Sequence, residues 1–219
     1  QPLLAELMAK GEGFTPENRK RLMALMGDIL RNVIPRYRAL ASRGQIELSS
    51  TPYSHPLAPL LIDLTSAREA QPDLPLPEAH FYPGGRSRIQ AQIAGAQTSH
   101  ARRFGAPPVG IWPAEGAVSA PFVQQLAASG VRWTASGQGV LAGSAPAPAD
   151  PYRPWLLADL PELTLFFRDD KLSDLIGFEY AKWHGRDAAQ HFVDQLSRIR
   201  DEAPAGDTPL VCVFLDGEN

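Results

Sequence analysis

The chain has 219 residues, 44% of them hydrophobic and 21% charged, a balance that excludes a disordered or fibrous polymer and suits a packed domain. Its 21 Lys and Arg against 24 Asp and Glu give a net charge of −3, so no basic footprint for a nucleic-acid backbone or an anionic membrane is present. The lone cysteine, Cys212, rules out an internal disulfide, and no Cys/His spacing of the zinc-finger kind occurs.

The longest apolar runs, residues 163–167 and 210–215, are too short to cross a bilayer, and no charged-then-apolar leader opens the chain. A cytoplasmic protein with no membrane and no nucleic-acid partner is the expectation. Gln1 at the start, and Asn219 directly after a strand-like run, suggest part of a longer polypeptide.

In chain order, Thr15-Pro16-Glu17 is an N-cap followed by proline at the first helical position, and Leu22, Leu25, Met26, Ile29, Val33 and Tyr37 recur at helical spacing. The pattern predicts a helix over 16–42, stopped by Gly44, and a strand over 45–50 ended by Pro52. Residues 71–83 hold four prolines and read as an irregular loop, as do residues 145–154. Ile89, Ile93, Ala96, His100 and Phe104 before Gly105 predict a helix over 86–104, followed by a short buried strand at 109–112. Ser119-Ala120-Pro121 opens another helix, closed by Gly130, before a strand at 131–134. A strand over 163–167, an amphipathic helix over 186–202 and a continuous apolar run over 210–215 complete the series. Five strands alternating with helices predict an α/β architecture of parallel strands, layered or barrel-like, with any site beyond the strands' C-terminal ends.

Four polar clusters occupy such positions: Glu47 with Ser49, Tyr53 and His55; Trp112 with Glu115; Arg168-Asp169-Asp170 with Asp174; and Asp216 with Glu218 and Asn219. Carboxylates converging with tryptophan and tyrosine suggest carbohydrate chemistry, one acid protonating a glycosidic oxygen while a second carboxylate attacks the anomeric carbon. Each has a plainer reading. Glu115 lies four residues before a helix N-cap, Arg168 can pair with either neighbouring aspartate, Asp174 can belong to a helix-start cap, and His55 sits in a proline-rich loop.

The same residues resemble glycoside hydrolase family 57. QIELSSTPYSHP at 45–56 is similar to the family's second signature region, GIWPAEGAVS at 110–119 to the third, FFRDDKLSDLIGF at 166–178 to the fourth, and LDGEN at 215–219 to a further strand end. The resemblance implies an incomplete seven-stranded (β/α) barrel and retaining action on α-glucans, of the amylase, amylopullulanase or 4-α-glucanotransferase type, with no cofactor or metal. It implies Glu115 as nucleophile and an aspartate of the fourth region as acid/base: Asp169, two residues past its strand, with Asp174 the alternative. It assigns Glu47, Tyr53, His55, Trp112, Arg168, Asp216 and Glu218 to substrate binding. The whole chain then reads as one domain, the central portion of the barrel, lacking the first strand and the C-terminal helical domain. Two rivals remain: a metal-dependent carbohydrate deacetylase or α-mannosidase, for which His55, His80 and His100 offer no paired ligand spacing, and a non-catalytic glycan-binding fragment.

Overall fold

A computed structural model describes residues 1–144 and 149–215. Helix α1 (Pro2–Lys10) leads into the 27-residue α2 (Pro16–Ser42). Thr15 caps α2: its hydroxyl accepts the Asn18 N–H, and the Asn18 side chain answers the Thr15 N–H, so two otherwise orphaned donors are satisfied. The apolar stripe of α2 leaves none of its residues fully buried.

Short helices α3 (Ala58–Ile62) and α4 (Ala67–Ala70) precede α5 (Gly85–Phe104), which Gly105 ends in the left-handed conformation the sequence predicts. Strand β1 (Gly110–Ile111), helix α6 (Ala120–Ala128), strand β2 (Trp133–Gly137) and helix α7 (Gln138–Ser144) come next. Strands β3 (Trp155–Leu157) and β4 (Leu160–Arg168) then lead to α8 (Asp170–Asp174) and α9 (Gly185–Glu202). Among the described residues no helix is long and apolar enough to cross a membrane.

The sheet runs β1-β2-β4-β3, and β1, β2 and β4 are parallel. Among the described residues the outer predicted strands make single parallel bridges, Ser50 to Ile111 and Cys212 to Arg168. All the pairings of the predicted strands with one another are parallel, and β3, a strand the sequence reading did not include, pairs antiparallel with β4 through a tight connection after the proline-rich loop.

Burial along β4 alternates: Leu163, Leu165 and Phe167 enter a core with Ile89 and Ile93 of α5, Phe122 and Leu126 of α6 and Ile111 of β1. Completely burying a side chain such as Phe122 contributes about 1.5–3 kcal/mol. The opposite face, carrying Thr164, Phe166 and Arg168, is half-buried and forms the concave side of the sheet.

Curvature is visible in one contact. The Trp112 and Phe214 rings lie 5.0 Å apart, although their strands are separated by β2 and β4. Three strand spacings in a flat sheet are roughly 14 Å. The sheet is therefore curled about its concave face, as part of a (β/α) barrel requires.

Gly110 permits a close packing on that face, because a Cβ there would fall on the Trp133 indole. Gly110→Ala is expected to push Trp133 aside and destabilise the fold by about 1–3 kcal/mol, read as a lowered urea midpoint with unchanged slope.

Candidate active site

The turn after β1 is built to expose one side chain. Pro113, Ala114 and Gly116 are buried, whereas Glu115 between them is exposed. Glu115 holds φ 56°, and Gly116 comes after it at φ 64°. Its tightness is enforced from two sides: a Cβ on Gly116 would press on the Trp112 ring at 3.2 Å, and the buried Ser136 hydroxyl of β2 donates to the Gly116 carbonyl at 2.6 Å. A left-handed non-glycine residue costs on the order of 1–3 kcal/mol and persists where its surroundings over-determine it. Among the described residues only Glu115 and His55 are of this kind, and both stand at strand ends that the sequence singles out.

Trp112 shares the parity of Gly110 and so faces the concave side, where Phe214 meets it. Arg168, paired in register with Gly137, lies on the same face. Its Nε donates to Asp170 Oδ1 at 2.7 Å, and Nη2 lies 3.7 Å from Asp174 Oδ1. The other Asp170 oxygen accepts the Gly139 N–H at 3.2 Å, fastening α7 to the end of β4.

The two aspartates lie in different surroundings. Asp169 is 5% exposed and is the N-cap of α8: Oδ1 accepts the Leu172 N–H and Oδ2 the Tyr152 hydroxyl, both at 2.8 Å. Burial first, and then this bond to Asp169, push the Tyr152 phenol well above its ordinary range. Asp169 continues the parity of Leu165 and Phe167, and both its oxygens are engaged in these bonds. Asp174, expected as the possible cap, has a side chain 58% exposed beside Arg168.

Glu47 lies at a different height along the sheet. It stands three residues before Ser50, which pairs with Ile111, and its carboxylate accepts the Trp133 indole N–H at 2.6 Å. Trp133 opens β2, so this bond lies toward the N-terminal ends of the strands. Asp169 is five residues beyond Thr164, the partner of Trp133, or about 17 Å farther along. Tyr53 and His55 are at the correct end but lie outward: the Tyr53 N–H donates to the Gln92 carbonyl, and its side chain rests on Gly95 of α5. Asp216 and Glu218 lie outside the described residues.

Trp112 and Glu115 thus follow the C-terminal end of β1, and Arg168 and Asp174 stand at the corresponding end of β4, beyond the parallel neighbour β2, with exposed Tyr53 and His55 after the Ser50 bridge. Sequence reasoning missed Phe214 and Tyr152. An uninterrupted apolar run gives no signal of which residue faces inward, and Tyr152 sits in a proline-rich loop with nothing local to mark a partner 17 residues on.

No curated protein matches the chain by sequence. Among solved structures, a family 57 branching enzyme from Thermococcus kodakaraensis is similar over 98% of this chain and 49% of its own, at TM-score 0.64 and 16% identity. A 4-α-glucanotransferase from Thermococcus litoralis is similar over 90% of this chain and 26% of its own, at TM-score 0.55 and 17% identity. An α-amylase from Thermotoga maritima is similar over 73% of this chain and 27% of its own, at TM-score 0.52 and 17% identity. The chain therefore spans from about a quarter to about half of these structures, and the likeness carries the fold. The family model for glycosyl hydrolase family 57 matches residues 19–219, taking in the Glu115 turn and the segment from Arg168 to Asp174, and the chain belongs to that family.

Proposed function

We propose that the protein is a retaining glycoside hydrolase or transferase of α-glucans, with Glu115 as nucleophile and Asp174 as acid/base. The observation that carries this reading is the strained, locked turn that holds Glu115 exposed beside Trp112 at the end of the strands where the β4 segment also finishes. Preorganisation of that kind serves a group that must attack in one direction. In the first step Glu115 bonds to the anomeric carbon while Asp174 gives its proton to the leaving oxygen. In the second, Asp174 takes a proton from water or from an acceptor sugar, which displaces Glu115. Arg168, tied to Asp170, positions Asp174 between the two steps.

Trp112 and Phe214 offer an aromatic wall to the sugar's apolar face. The branching enzyme, glucanotransferase and amylase among the similar structures favour an α-1,4-linked glucan, with α-1,6 linkages a second candidate for the same site. The unpaired Cys212 fits action in a reducing compartment such as the cytoplasm.

The test is stereochemical. With maltoheptaose as substrate, proton NMR within the first minutes is expected to show the α-anomer as the initial product. Initial formation of the β-anomer would replace double displacement with inversion, and absence of any turnover would remove the enzymatic reading.

A further inference from the structure

A second concavity lies outside the mouth, between the end of α3 and the loop that enters α5. It is a cleft of about 500 Å³ lined by Ile62, Asp63, His80, Phe81, Tyr82 and Arg86, within the size range of sites for small organic ligands. Its floor is fixed by Gly85, where a Cβ would strike the Leu61 carbonyl, so α5 is pinned against α3 at this point. One wall is aromatic: Phe81 is 65% exposed, and the Arg88 guanidinium lies over the Tyr82 ring at 5.3 Å, holding that ring in place.

The polar groups around the wall suit hydroxyls. Asp63 Oδ1 accepts the Thr65 N–H and hydroxyl at 2.9 and 2.7 Å, bonds that hold its carboxyl below the usual carboxylate range, with the charges of His80 and Arg86 adding to that lowering. One carboxylate, one guanidinium and one imidazole nearly balance in charge, so neither a polyanion nor a polycation is selected. An exposed aromatic ring in a cleft also lined by donors and acceptors complements a neutral molecule with an apolar face and a polar circumference, which describes a pyranose.

Position gives the site its relation to the mouth. The C-terminus of α5 leads into the start of β1, so its N-terminus lies at the end of the barrel where Glu115 is exposed. Tyr53 bonds to Gln92, and Gly85 is seven residues nearer the helix start, about 10 Å farther out. We propose that this cleft is a remote carbohydrate-binding site that holds a segment of the glucan chain away from the bond being cleaved. The identity of the sugar rests on the α-glucan reading of the active site; the cleft as a sugar site rests on its own residues.

The experiment is an NMR titration of the isotopically labelled chain with maltoheptaose. Saturable shifts are expected at amides 80–87, with the dissociation constant at those positions raised about five- to tenfold in Phe81→Ala and in Arg86→Gln. Both side chains are at the surface, and unchanged core resonances would confirm that each variant is folded. Shifts confined to residues 111–116 would overturn the cleft proposal and leave the catalytic reading standing. Shifts confined to 80–87 would uphold the cleft and count against the catalytic reading. No shift anywhere, or shifts at 80–87 indifferent to both substitutions, would overturn the proposal.

Discussion

Glu115→Gln is expected to lower the turnover of maltoheptaose by about 10⁴-fold or more, because an amide cannot form the glycosyl ester on which the first step depends. Stability should be almost untouched: the side chain is exposed, and the left-handed turn is held by Ser136, Trp112 and the buried Pro113, not by the carboxylate. The second readout is chemical. With Glu115→Gly and an activated β-glucosyl fluoride, which mimics the intermediate, transfer to an acceptor should return. A Glu115→Gln variant with undiminished turnover would move the nucleophile elsewhere.

The second large effect separates Asp174 from Asp169. Asp174→Asn is expected to slow cleavage of maltoheptaose by about 10²–10⁴-fold, while an aryl glucoside with a good leaving group, which needs no protonation, loses far less in the first step. Asp169→Ala removes a helix cap and strands the Tyr152 hydroxyl, a combined cost of roughly 2–4 kcal/mol, seen as a melting point several degrees lower. If Asp169→Asn melts like the parent yet shows the leaving-group pattern just described, Asp169 is the acid and Asp174 is not.

Helix positions were legible in the sequence where backbone chemistry is local. Thr15 before Pro16 marks the start of α2, Gly105 marks the end of α5, and both boundaries fall where those residues demand. Strand pairing was less legible. The continuous run over 210–215 promises a full strand but makes one bridge, at Cys212, because pairing depends on β4 already being engaged by β3 along its earlier half.

The site divides along the same line. Trp112 and Glu115 come directly after a two-residue strand, so their place was readable. The sequence favours Asp169 over Asp174 by distance from the strand alone, whereas which one caps α8 depends on where β4 ends and on a tyrosine from a distant loop. Glu47 belongs to the pattern of its own strand, but its height relative to the other strands is set by register, and register is a property of pairs.

Among the described residues the segments at Ser50 and Cys212 each join the sheet by a single bridge, while β2 and β4 share five paired positions. On the scale of amide exchange this grades the barrel: the β2 and β4 protons wait for global unfolding, whereas those near Ser50 and Cys212 are released by local opening. Phe214 rides on the looser segment and Trp112 on the firmer one. The contact between the two rings therefore joins a segment fixed by one bridge to one fixed through β1 and β2, and its Phe214 side is the one expected to open first.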